Sequence, residues 1–302
     1  MTEGVLLAMW AVGMGCIFGS FLNALSFRFN TGRTMGGRSR CMRCGHALAA
    51  VDLVPVLSYV ALRGRCRYCG GKISAQYPLV EVVAGLVSLG VFLQSFPGIL
   101  SADVWMSGVG YTPLQVAGYA YFLLVWFIIL FAVVYDLRHK IIPWSCSLPL
   151  AALAFLALCI FPHSFALTES VYPLVATLPP VSFITFPSWW SLLAGPLLAL
   201  PLFLLSLVSR GQWMGWADSI FELSLGWLLG LTAGLTALML AVWSGALVGM
   251  LLLLSARLPW RLGGKRFTME SEIPFAPFLA LGAALAYFFH VDLFSTLPLL
   301  FS

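Results

Sequence analysis

Four cysteines and a few carboxylates are the residues of this chain whose types and spacing could do chemistry. Cys41-Met-Arg-Cys44 and Cys66-Arg-Tyr-Cys69 are two CxxC pairs with 21 residues between them, and Gly45 and Gly70 follow directly. Each pair can present two thiolates from one tight knuckle, and the glycine behind it permits the turn. Four thiolates close a tetrahedral site with no open position, so the metal would be structural rather than catalytic. Zinc is the expected occupant and iron in a rubredoxin-like site the competing one. Two disulfides or four unrelated thiols are the alternatives, and a reducing compartment disfavours the disulfides. Cys16, Cys146 and Cys159 stand in or beside apolar runs and read as packing residues.

Of the 11 acidic residues, Glu81, Asp136, Asp218, Glu222 and Glu272 lie in or next to apolar stretches. Ionisable groups are costly there and commonly functional. Asp136 sits in Tyr-Asp-Leu-Arg-His-Lys-Ile-Ile-Pro and Asp218 in Gly-Trp-Ala-Asp. Two carboxyls brought together cannot both ionise easily. One holds a proton while the other activates water. The plain alternatives are a helix N-cap for Asp218 and pairing with Arg138 or Lys140 for Asp136. Glu222, one turn after Asp218, suits a pairing or supporting role, and Glu81 a buried partner for polar or basic groups. His46 is a spare ligand beside the first CxxC, and His139 either tunes Asp136 or sits solvated in its loop. His163 and His290 receive no role. No GxGxxG follows a strand, so no dinucleotide fold is supported.

The elements that must position these groups are membrane helices. Of 302 residues, 61% are hydrophobic and 9% charged, and the mean hydropathy is +0.98. The runs 104–135, 141–168, 170–209 and 223–256 contain no Asp, Glu, Lys or Arg. A helical span needs about 20 apolar residues. A β-barrel would show shorter alternating segments, and disorder is excluded by the apolar content. The 16 basic residues fall in four groups, at 28–72, 138–140, 210 and 257–266. Cytoplasmic loops are enriched in Lys and Arg. Spans at about 5–25, 78–96, 115–135, 145–162 and 188–208, an out-and-back pair from 219 to 256 broken near Thr232–Thr236, and 274–291 place every basic group inside. Both termini, the loop 97–114 and the loop 163–187 then face outside. The expected fold is all-α and polytopic, with about eight transmembrane helices and a small cytoplasmic metal-binding insert between helices one and two. Residues 1–27 form the first helix, 28–77 the four-cysteine insert and 78–302 the remaining core. The net charge of +5 reads as orientation and attraction to anionic lipid, not nucleic-acid binding. The first apolar run lacks a basic n-region and reads as an uncleaved span.

Six short segments, in order, resemble the type IV prepilin leader peptidases, membrane aspartic proteases of the GxGD type. Gly19-Ser-Phe-Leu-Asn23 with Arg28 resembles that family's GSFLN segment, and the CxxC pairs resemble its zinc insert. Tyr77-Pro-Leu-Val-Glu81 is similar to its YPLVE, and Asp136 with Ile142-Pro143 to its first aspartate motif. Asp218 with Phe221, Gly226, Leu229 and Gly230 resembles the second, and Ile273-Pro-Phe-Ala-Pro-Phe-Leu-Ala-Leu-Gly282 the IPFGPFLALG ending. The resemblance implies an inner-membrane endopeptidase that removes the basic leader of prepilins and pseudopilins at the cytoplasmic face. Asp136 and Asp218 would be its catalytic pair, and Cys41, Cys44, Cys66 and Cys69 its zinc ligands. It also implies N-methylation of the new N-terminus with S-adenosylmethionine, without naming the residues that bind it. Ala217, Ile220 and Trp144 depart from the pattern, standing for a glycine, a lysine and an acidic residue. A non-catalytic assembly or binding factor is the alternative reading.

Overall fold

The computed structural model describes residues 2–30, 37–99, 112–160, 188–212, 214–257 and 274–294. Most of the connections expected at 97–114, 163–187 and 257–272, with Asp103, His163, Glu169 and Glu272, lie outside these residues, as does Ile273.

Nine helices form among the described residues: α1 (Thr2–Arg28), α2 (Leu57–Ala61), α3 (Gln76–Ser95), α4 (Pro113–His139), α5 (Trp144–Ile160), α6 (Trp189–Val208), α7 (Trp216–Leu229), α8 (Leu231–Arg257) and α9 (Ala276–Phe289). Eight of them stand at the eight expected positions, and α2 is a short piece of the insert. Five, namely α1, α3, α4, α6 and α8, are long and apolar enough to cross a membrane. No strand forms among the described residues, only the bridges Arg40 to Ala47 and Arg65 to Lys72. The chain is an all-α polytopic membrane protein.

Local sequence sets the boundaries. Pro113 opens α4, where Thr112 N–H donates to Gln115 Oε1 at 2.8 Å and Gln115 N–H to Thr112 Oγ1 at 3.3 Å. This reciprocal cap starts the helix two residues before the expected 115. The helix also runs on through Asp136 to His139, and Lys140 takes a left-handed conformation behind it. Ser188 caps α6 by accepting from Ser191 N–H. The break expected near Thr232–Thr236 falls instead at Gly230, whose φ is +79°. Glycine adopts that angle without a steric penalty. The threonines stay helical because a hydroxyl can bond back along its own helix, as Thr236 Oγ1 does to Thr232 O at 3.0 Å.

The chain forms two units, residues 1–134 and 135–302. In the first, α1 and α3 run antiparallel at very close range. A Cβ on Gly19 would stand 2.8 Å from Glu81 Cα, and one on Gly15 2.6 Å from Ala84 O. Small residues let membrane helices approach so closely and exchange hydrogen bonds, here Ser88 Oγ to Ala11 O at 2.8 Å. Phe18 and Phe29 meet Phe127 and Phe131 of α4.

In the second unit, which takes up α4 from Tyr135, α6 and α7 are antiparallel. A Cβ on Gly226 would lie 2.8 Å from Gly195 Cα, and Trp227 Nε1 donates to Leu192 O at 3.0 Å. Helix α5 packs on α7 through Phe155 and Trp227, ring centroids 5.2 Å apart. Helix α9 packs on α8, where Gly282 leaves no room for a side chain against Ala237.

Candidate active site and metal centre

In the first unit the four cysteines converge. The Sγ atoms of Cys41, Cys44, Cys66 and Cys69 lie within 4.8 Å of one another, with Cys41 and Cys69 at 4.0 Å. A zinc tetrathiolate with Zn–S of about 2.3 Å has sulfur–sulfur edges of about 3.8 Å, so the set fits that metal. The two knuckles are built alike. Gly45 N–H donates to Cys41 O and Gly70 N–H to Cys66 O, both at 2.9 Å, with φ of +72° and +65° at the two glycines. Backbone N–H groups of Cys44 and Arg43 hold the Cys41 thiol down to about 6, which favours the thiolate a metal requires.

His46 is not drawn to the sulfurs; its ring packs on Tyr68 at 3.8 Å. The residue that sequence reasoning missed is Asp52. Its Oδ1 takes Arg67 Nε at 2.8 Å, and its Oδ2 accepts from Tyr68 O–H at 3.0 Å and Ala49 N–H at 3.2 Å. Desolvation works upward on this carboxyl. The bonds from Tyr68 and Ala49 and the Arg67 charge outweigh it and hold the group below the usual range. An acid eight residues after Cys44 gives no local signal; the folded insert brings it to the second knuckle. Glu81 is buried, as expected, but its partner is a backbone amide, Val56 N–H at 2.7 Å. Asn23 is 1% exposed and donates to Tyr77 O at 3.1 Å, so two of the resemblance segments bind each other.

The two aspartates belong to the second unit. Asp136 is 4% exposed in the last turn of α4. Its Oδ2 accepts from Ala276 N–H at 3.2 Å, the first amide of α9, rather than from Arg138 or Lys140. Amides at a helix start lack partners within the helix and carry positive partial charge, so they suit a carboxylate. Asp218 is the third residue of α7, and its Oδ2 accepts from Gly215 N–H at 3.1 Å. Gly215, not Asp218, occupies the N-cap, so the capping reading is right about the helix end and wrong about the position. A Cβ at 215 would meet Asp218 Oδ2 at 3.2 Å, so glycine leaves the carboxyl its room. The two carboxyls are within electrostatic reach of each other. Neither forms an ion pair among the described residues. His139 packs on Tyr135, with ring centroids 4.3 Å apart.

Residues 14–95 match the family model described as the bacterial peptidase A24 N-terminal domain. A prepilin leader peptidase/N-methyltransferase of Burkholderia pseudomallei strain 1026b is 30% identical over 261 residues, 83% of this chain and 67% of that protein. The chain belongs to the prepilin leader peptidase/N-methyltransferase family. A Dichelobacter nodosus member is 28% identical over 252 residues, 83% of this chain and 71% of its own. A Myxococcus xanthus member is 47% identical over 85 residues, 28% of this chain and 25% of its own. No solved structure matches the chain.

Against the family pattern, Ala217 is the departure nearest the acids. It lies in the first turn of α7, 8% exposed, and is not among the residues with positive φ. Alanine suits a helical turn better than glycine does, so this prepilin leader peptidase/N-methyltransferase relative holds Asp218 in place without the glycine.

Proposed function

We propose that this chain is a membrane aspartic endopeptidase that cleaves the basic leader of prepilins or pseudopilins at the cytoplasmic face. One observation carries the reading. Two carboxyls from distant parts of the chain, the buried Asp136 and the half-buried Asp218, interact with each other, and each accepts a backbone amide at a helix start. That arrangement performs peptide hydrolysis with a single shared proton. The ionised aspartate takes a proton from water as the hydroxyl adds to the leader's scissile carbonyl. The protonated aspartate then gives its proton to the leaving amine as the C–N bond breaks, and the pair returns to one proton. The clustering of basic residues in four loops supports a cytoplasmic side for the insert and both aspartates. A leader's basic head stays in water there while its apolar stretch lies among helices.

We assign residues 1–27 to the first span, 28–77 to the insert and 78–302 to the peptidase core. Cys41, Cys44, Cys66 and Cys69 would hold zinc, which ties two knuckles of a segment too small to build its own core. We include N-methylation in the proposal on the relatives' printed name. No residue is assigned to S-adenosylmethionine. The cavity of about 490 Å³ in the first unit is walled by Val12, Ile17, Pro55, Leu57 and Leu86 among others. Hydrocarbon does not suit a sulfonium and an amino-acid end, so no methyl-transfer step is assigned to named residues.

The test is co-expression with a leader-bearing prepilin and intact-mass spectrometry of the product. Loss of the leader, with or without an added methyl group, is the expected result. An uncut prepilin across several pilin substrates would overturn the peptidase reading and favour an assembly factor.

A further inference from the structure

Glu222 is a carboxyl that the reaction above does not use. It is 0% exposed, and neither carboxyl oxygen has a hydrogen-bond partner among the described residues. It stands four residues after Asp218 on α7. At about 1.5 Å per residue it lies about 6 Å deeper along the helix, on the same side. The buried hydroxyls of Ser219 and Ser147 also lack partners among the described residues. Ser219 shares the face of Glu222, three residues earlier. Ser147 belongs to the buried stripe of α5 formed with Leu150, Ala151 and Ala154.

The charges around it are few. Helix α6 carries no titratable side chain, α5 only Cys146 and Cys159, α9 only Tyr287, and α8 only Arg257 at its far end. Helix α4, whose Asp136 reaches Asp218, ends in Tyr135, Arg138 and His139. No cation on α5, α6, α7 or α9 can pair with Glu222. An isolated carboxylate in such a place costs far more than the neutral acid. A second negative charge one turn from Asp218 would also oppose it.

We propose that Glu222 is a positioning residue that stays a neutral acid beside the aspartate pair. Its ionisation at alkaline pH shuts the site. This rests on the reading of Asp136 and Asp218 as the working pair. With Glu222 neutral, the three carboxyls together carry one negative charge, and Asp218 can release its proton to the leaving amine. Once Glu222 ionises they carry two, and that proton is held.

Two measurements on the full-length protein in lipid nanodiscs decide it. Infrared difference spectroscopy at neutral pH should show the C=O stretch of a carboxylic acid in a water-poor setting. Beside the signal of the proton shared by the aspartate pair, one such band should vanish in both Glu222→Gln and Glu222→Leu and persist in Asp136→Asn. Absence of the band, or its survival in both Glu222 variants, overturns the proposal whether or not the protein cleaves prepilins. In leader cleavage, Glu222→Gln should move the alkaline limb of the rate profile up by about one pH unit or more, with KM unchanged. Glu222→Asp should restore a limb close to that of the native enzyme. An unmoved limb, with the infrared band lost, overturns the coupling to Asp218. No cleavage by the native protein at any pH counts against the peptidase reading alone, and the infrared result still decides the proton.

Discussion

Asp218→Asn separates the two roles that the structure gives one carboxyl. The side chain caps α7 by accepting from Gly215 N–H at 3.1 Å, and in the proposed reaction it also holds or takes a proton. Asparagine keeps an oxygen acceptor for the amide and loses the titratable group. Capping bonds of this kind contribute about 1 kcal/mol, so Asp218→Asn should melt within about 0.5 kcal/mol of the native protein and Asp218→Ala about 1 kcal/mol below it. Loss of a positioned general acid or base costs about 10²–10⁴ in rate, a barrier rise of about 2.7–5.5 kcal/mol. Both variants should therefore fall by at least about a hundredfold. Asp136→Asn should do the same, because an amide oxygen can still accept from Ala276 N–H. The assay is single-turnover leader cleavage by purified protein in nanodiscs, read by mass, beside thermal melting of each variant. An Asp218→Asn protein that melts normally and keeps more than about a tenth of the rate would refute the chemical role and leave only the cap.

Other outcomes follow from the same structure. Cys66→Ser should lower zinc from one per chain to a small fraction, since structural zinc depends on all four thiolates, and should open the insert to proteolysis. Metal content by mass spectrometry and limited proteolysis check it. The Cys41 thiol titrates at about 6, below the free thiol, so its contribution to holding the insert is complete above the free-thiol range. That contribution is lost as pH falls through about 6 in the metal-free insert; bound zinc competes with protons for the thiolates, so zinc release on acidification should have its midpoint below that value. Gly226→Ala pushes a methyl toward Gly195 Cα at 2.8 Å and Ala194 O at 3.0 Å. It should cost about 1–3 kcal/mol by overpacking, seen as a lower melting temperature. Ala217→Gly should cost about 0.5–1 kcal/mol, because its site is helical, and should not raise the cleavage rate.

The spans, the cysteine cluster and the acids worth examining were legible in sequence because each signal is local. Charge-free runs of sufficient length are membrane helices wherever they occur, and CxxC followed by glycine is a knuckle by its own geometry. Boundaries were read less well where two local rules competed. Thr232 and Thr236 resemble a break, yet the Thr236 hydroxyl bonds back within the helix and Gly230 takes the turn. Partners were the least legible. Asp136 looked available to Arg138 or Lys140, but the donor it receives is 140 residues away, at the start of α9. Asp52 and Arg67 meet only after the insert folds.

By itself, the sequence determined that this chain lives in a bilayer, that four thiolates can gather in one loop, and which carboxyls stand at helix ends. Those properties follow from composition and spacing over a few turns. Only the tertiary structure decided which backbone amides hold Asp136 and Asp218, that the two acids feel each other, and that Glu222 is enclosed with no partner among the described residues. The reason is that each depends on the direction in which separate helices pack. Contacts of Gly195 with Gly226 and of Ser206 with Gly215 fix that direction for α6 and α7, and no spacing along one helix encodes it.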